Sequence, residues 1–173
     1  MTQETPKPKP PRERKVIESP RRPDQRNSQE KTSEGKSDIS PDQKMVQTIK
    51  NLQGLHSYEI RQLVKDAESL GQHLVNKRLR TNQIRKFLDA VKRLKVELSQ
   101  DKEEKFSTIK DEVVLLKPKL AYAAARNQSA VKPLADVISA AIDKVYESPD
   151  FYRLVQLIES IIAYHKAAGG KDN

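Results

Sequence analysis

From about residue 58 to residue 162, apolar residues recur three and four positions apart, and strict alternation is almost absent. That spacing predicts helices rather than strands. A first helix is predicted from about Tyr58 to Lys77, capped by Ser57, with Ile60, Leu63, Val64, Ala67, Leu70 and Leu74 on one face. Gly71 falls inside it and weakens the local preference. A second helix follows Thr81 and reaches about Leu98. Its Ile84, Phe87, Leu88, Val91, Leu94 and Leu98 fall within a sector of about 120° at the helical repeat. A third carries Phe106, Ile109, Val113, Leu116, Leu120 and Ala124 and stays in phase through Pro118. A mid-helix proline removes one backbone bond and clashes with the carbonyl four residues back, so a kink or two abutting helices is expected near Val114–Pro118. Ser129 caps a fourth helix running to about Glu147, with Pro133 in its first turn and Val131, Leu134, Val137, Ile138, Ala141, Ile142 and Val145 inward. Ser148-Pro149 opens a fifth, with Phe151, Leu154, Val155, Ile158, Ile161 and Ile162 as its core stripe and Gly169-Gly170 as its stop. The expected fold is all-α: a compact bundle of about five helices, antiparallel because its links are short.

Composition divides the chain near residue 46. Residues 1–46 hold seven of the ten prolines, eleven Lys/Arg and eight Asp/Glu, with few large apolar side chains. Such a stretch buries too little apolar surface to offset its ordering entropy, so it reads as a disordered, basic, Pro-rich tail. Residues 47–173 are long enough to enclose a core and read as the helical-bundle domain. Without cysteine, disulfides and thiolate chemistry are excluded. The N-terminus lacks a secretory apolar stretch, and no apolar run is long enough to span a bilayer. A cytoplasmic protein without a membrane role is the expectation.

The recognisable catalytic patterns are missing. His56, His73 and His165 have no His, Asp or Glu at metal-ligand spacing and read as structural surface histidines. There is no phosphate-cradling glycine loop and no nucleophile elbow. Glu103-Glu104 and Asp111-Glu112 are sequence neighbours, which do not face each other on a helix, and read as solvated charge. Neither an enzyme nor a cofactor is expected.

Charge is where the chain departs most from an ordinary helical domain. Between Lys77 and Lys95 stand eight basic residues and one acid, Asp89, a net +7 out of +9 for the whole chain. Solvated faces usually mix both signs. On the second helix Arg85, Lys86, Lys92 and Arg93 fall opposite the apolar stripe, and Lys95 lies at its edge, placed to snorkel. An unneutralised basic face points first to nucleic-acid phosphates. An acidic protein partner and a double-stranded DNA regulator are the alternatives. Few base-reading side chains are present, and the link Arg78–Arg80 lacks the glycine usual in a helix-turn-helix. Tyr122, four residues before Arg126, is placed either to stack on a base or to pack, and the surrounding alanines favour packing.

Three stretches sharpen this picture: Thr81 to Leu88 (TNQIRKFL), Leu115 to Arg126 (LLKPKLAYAAAR), and the end from Phe151 through Ile161 to Gly170 (IIAYHKAAGG). Together they resemble the small-subunit family of type III-A CRISPR effector complexes, over about Leu74 to Gly170. The resemblance implies a non-catalytic helical subunit of an antiviral ribonucleoprotein. It would stack in several head-to-tail copies beside the other subunits of the effector complex. There it would line the groove where guide RNA and target RNA pair, and contact phosphates without reading sequence. It also implies RNA contact at Arg85, Lys86, Lys117, Lys119 and Arg126. Lys92 and Arg93 join that set on the charge argument alone. Head-to-tail stacking needs two different complementary surfaces, expected on the terminal helix and the Ala-rich helix.

Overall fold

The computed structural model describes residues 1–2, 39–101 and 105–173. The tail expected over residues 1–46 therefore lies largely outside the described residues, as does Glu103-Glu104. Among the described residues there are seven α-helices: α1 (Pro41–Lys50), α2 (Ile60–Asn76), α3 (Arg85–Gln100), α4 (Lys110–Val114), α5 (Leu116–Arg126), α6 (Gln128–Ile142) and α7 (Ser148–Ala167). No helix among them is long and apolar enough to cross a membrane.

Two helices separate this count from the expected five. The first is α1, which crosses the boundary expected at residue 46 and buries Met45 and Ile49. It packs along α6, and Asp42 in its first turn stands 3.5 Å from His73 of α2. The second comes from the break expected near Val114–Pro118, where α4 and α5 meet at Leu115. Pro118 is the third residue of α5, where no backbone donor is needed. Pro133 is different. Because α6 starts at Gln128 after Asn127, this proline lies inside the helix, beyond the first turn expected for it.

The apolar stripes meet in one core. Leu63, Ala67, Leu70 and Leu74 of α2 join Phe87, Val91, Leu94 and Leu98 of α3, and Phe151, Leu154, Leu157 and Ile161 of α7. Ile60, expected in the stripe, is exposed instead. Asp66 is buried; it accepts from the Tyr58 hydroxyl at 2.8 Å and from Gln62 Nε2 at 2.9 Å. Burial, then the adjacent Asp66 carboxylate, pushes the Tyr58 phenol far above its ordinary value, so it remains a donor.

The expected antiparallel arrangement holds for only part of the bundle. Lys117 near the start of α5 reaches Asp143 just past the end of α6, so these two form an antiparallel hairpin. But α2 and α7 run in the same direction. Arg153 in the second turn of α7 donates to the carbonyl of Tyr58, just before α2, whereas Tyr164 and His165 near its end cross α2 at Gly71. A Cβ on Gly71 would lie 2.7 Å from the His165 backbone nitrogen. The glycine that disturbs the helix pattern is thus where two backbones touch.

Both parallel helices end in the same motif. At the end of α7, Gly169 N–H donates to Lys166 O and Gly170 N–H to His165 O, with Gly169 at φ 93°. At the end of α2, Arg78 takes the left-handed position that glycine usually fills, at φ 61°, and Leu79 N–H donates to Leu74 O at 3.0 Å. After Gly170 the chain runs beside the α2–α3 link, where Thr81 N–H donates to Lys171 O and Asn82 N–H to Asp172 O, each at 3.1 Å.

His165, expected at the surface, is fully buried at this junction. Its Nε2–H donates to the Leu79 carbonyl at 3.0 Å, which leaves Nδ1 as the unprotonated nitrogen. Nδ1 has no hydrogen-bond partner among the described residues. Burial lowers the His165 pKa most, and Lys166 adds to that; the Leu79 carbonyl and Asp172 oppose it without cancelling it. The unfolded imidazole takes up its proton at about pH 6.5 and the folded one resists. Stability that is fully present above that value is therefore lost as pH falls below it. Urea midpoints compared at about pH 7.5 and about pH 5.5 should drop for the wild type and stay level for His165→Leu. An unchanged wild-type midpoint would contradict this reading.

Candidate nucleic-acid interface

The basic residues reach the surface from two elements. On α3, residues seven apart share a line down the helix. Arg85 and Lys92 therefore occupy one line, and Lys86 and Arg93 another that faces α4 and α5. All four are exposed. On α5, Lys119, Tyr122 and Arg126 recur at three- and four-residue spacing on a single face, turned away from the buried Leu116 and Leu120.

The short 3₁₀ turn Thr81–Ile84 brings these two sets together. Gln83 clamps it: its Oε1 accepts from Arg80 N–H at 3.0 Å, and its Nε2 donates to Asn127 Oδ1 at 3.0 Å, at the junction of α5 and α6. Asn127 Nδ2 in turn donates to the Ala123 carbonyl at 3.3 Å. Between the clamped turn and α5 lies a groove of about 660 Å³. Ile84, Phe87, Pro118 and Ala123 form its apolar wall, and Lys86, Lys119 and Arg126 line it with positive charge. No carboxylate lines it, and none of the three cations is paired with one among the described residues.

The other four predicted residues lie elsewhere. Arg93 is bound to Glu112 of α4 at 2.6 Å, and Lys117 to Asp143 at 2.6 Å. Both pairs are solvent-exposed, and such pairs contribute about 0–1 kcal/mol. They neutralise part of the expected basic face without locking either side chain in place. Lys95 is likewise paired, with Glu159 of α7 at 2.9 Å. Arg85 stands near enough to Asp172 to help lower its pKa, after the larger effect of the Lys166 side chain. Lys92 projects from α3 outside the groove. The seven predicted residues thus separate into a groove cluster of Lys86, Lys119 and Arg126, an outer line of Arg85 and Lys92, and two ion-paired side chains.

Tyr122 does not pack among the alanines as expected. It is 64% exposed, and the Arg126 guanidinium sits over its ring, 5.9 Å from the centroid. The signal for this was present in the sequence. Tyr122 lies two residues from both Leu120 and Ala124 of the stripe, which places it about 200° around the helix from either.

One further cluster joins residues distant in sequence. His56, Glu147 and Asp150 bring ligand-type atoms within 4.8 Å of one another, a grouping that could hold a metal ion. Asp150 already has a structural task there. Its Oδ1 accepts from His56 N–H at 2.7 Å and lies 2.7 Å from His56 Nδ1, while its Oδ2 accepts from Tyr146 N–H at 3.0 Å. It ties the turn before α2 to the start of α7. His56 is therefore partnered by an acid that sequence spacing does not reveal.

No curated protein and no solved structure matches the chain. A family model does: the one described as Csm2 Type III-A matches residues 57–171, from the turn before α2 to the segment after α7, and so takes in the whole groove and well over half of the chain. The three stretches that carried the resemblance all fall inside that span, and the chain belongs to the Csm2 Type III-A family, among the subunits of a type III-A CRISPR effector complex.

Proposed function

We propose that this chain is a non-catalytic, RNA-binding structural subunit that works in the cytoplasm in antiviral defence. Several copies stack head to tail along the groove where guide RNA and target RNA pair, and they contact phosphates without reading sequence. The observation that carries the proposal is the groove cluster: three cations from two helices around one concavity, with no carboxylate among its lining residues. A polyanion gains most from charge that the protein has not already neutralised. Guide pairing supplies the sequence choice, so this subunit needs only to hold a backbone.

Stacking requires apolar docking surfaces. The α7 helix offers little, because Gln156, Glu159, Ala163 and Ala167 are the exposed positions in its last three turns. The alanines of α5 are better placed: Ala121, Ala124 and Ala125 line a groove of about 590 Å³ against α6, next to the exposed Val114 and Leu115.

The test is the salt dependence of RNA binding. Each lost phosphate contact should flatten the slope of log affinity against log salt by ~0.7 for a single strand. Replacing Lys86, Lys119 and Arg126 together by alanine should therefore flatten it by about 2 and weaken binding equally across unrelated RNA sequences. Replacing Arg93 and Lys117 should change it less, since each already has a carboxylate partner. If the triple variant binds like the wild type, the phosphate surface lies elsewhere. Binding of an acidic protein instead of RNA would favour the adaptor reading.

A further inference from the structure

We propose that the groove between the Thr81–Ile84 turn and α5 is a nucleotide subsite in which the base of an unpaired RNA residue stacks on Tyr122, while Lys86, Lys119 and Arg126 hold the flanking phosphates. The proposal rests on the RNA-binding reading above and adds to it a contact with a base. Phosphate contact alone gives no reason for an aromatic ring in the middle of a basic face. Tyr122 is among the most exposed large apolar side chains of the bundle, and on α5 it lies between two of the three groove cations. A nucleotide presents the matching chemistry: a flat apolar face for the ring, and anionic groups on either side for the cations. Arg126, over the ring, adds a planar cation on which a neighbouring base can lie.

The groove has the right size and is already formed. Its volume of about 660 Å³ falls within the ~300–1,000 Å³ common for small-ligand sites. The Gln83–Asn127 hydrogen bond fixes the distance between the turn and α5. The Gln83 and Asn127 amides are engaged with Arg80, with Ala123 and with each other. That holds both amides in place against the protein, and stacking itself is tolerant of sequence because every base offers a flat face. Unpaired RNA is the fitting ligand, since both faces of a base within a continuous duplex are already covered.

The full chain should be titrated at low salt with an oligouridylate and with the same sugar–phosphate backbone lacking its bases. Wild type should bind the oligouridylate more tightly, by about tenfold for one stacked base. Tyr122→Ala should remove that preference and leave the salt slope unchanged, and Tyr122→Phe should retain it. An RNA duplex should gain nothing from Tyr122. The ring is exposed, so circular dichroism of the variants should match the wild type. Equal wild-type affinity for the two probes, or a preference that survives Tyr122→Ala, overturns the subsite. If the lysine and arginine substitutions abolish binding in that same experiment, the phosphate reading stands without it. Failure of the wild type to bind either probe overturns both readings.

Discussion

Replacing Gly71 by valine is expected to cost the domain about 3 kcal/mol or more, with Gly71→Ala at about 1–3 kcal/mol. Helix propensity alone predicts the opposite sign for alanine, a gain of up to ~1 kcal/mol at an interior position. The contact geometry decides the matter. A Cβ at this position would meet His165 N at 2.7 Å, Tyr164 Cβ at 2.8 Å and Tyr164 C at 2.9 Å. These are backbone atoms and the root of a side chain, so no rotamer change relieves them, and α2 must move away from α7. That movement opens the seam between α2 and α7, whose buried apolar side chains belong to the common core. Urea unfolding of wild type, Gly71→Ala and Gly71→Val should give midpoints falling in that order. A midpoint that rises with alanine would mean that the two helices are not in backbone contact.

The second large effect is expected at Asp150. Its side chain is almost wholly buried and accepts from His56 N–H and Tyr146 N–H, with the His56 ring also in hydrogen-bond range. Asp150→Ala strands these donors and should cost about 2–4 kcal/mol, since hydrogen bonds to a charged group contribute ~1.5–3 kcal/mol and an orphaned buried donor ~1–3 kcal/mol. The pH dependence gives an independent check. Burial pushes the Asp150 carboxyl upward, but the two backbone donors and the His56 ring outweigh it and hold the group below its ordinary value. A depressed carboxylate stabilises the fold above its unfolded pKa, and that contribution disappears as pH falls through the folded value. The stability gap between wild type and Asp150→Asn should therefore be full at neutral pH and close in strong acid. A gap that persists unchanged into strong acid would assign the loss to packing rather than to the carboxylate.

Much of the bundle is legible from apolar spacing, because a helix that buries one face must repeat near 3.6 residues. The α3 stripe from Ile84 to Leu98 is buried as that spacing predicts, apart from the half-buried Leu88. The break at Leu115 follows from Pro118. His165 is equally legible in the spacing, continuing the buried Ile158–Ile161 stripe by one more turn, but its polarity masks that. The first helix left little trace, because only Met45 and Ile49 anchor it inside a charged, proline-bearing stretch.

What periodicity cannot supply is direction and partner. Nothing along the chain says that α2 and α7 point the same way, since that depends on the path of the helices between them. The neutralisation of Arg93 and Lys117 is invisible for the same reason: Glu112 and Asp143 lie on other elements, and only tertiary contact brings them close. Counting charges over Lys77–Lys95 therefore overstates the free positive surface. The groove itself depends on the Gln83–Asn127 bond between residues 44 positions apart. Its residue types could be read from the sequence, but their meeting could not.

The parallel seating of α2 against α7 also sets an order of events during synthesis. The two helices are separated in sequence by α3, α4, α5 and α6, so their mutual surface is among the most non-local in the domain. While the ribosome still holds the C-terminal segment, Leu63, Leu70 and Leu74 have no α7 to cover them. Local pieces such as the α5–α6 hairpin can form early. Cooperative folding has to wait until Phe151 to Ile161 emerge, and a nascent chain stalled before that point carries an open apolar seam that chaperones can bind.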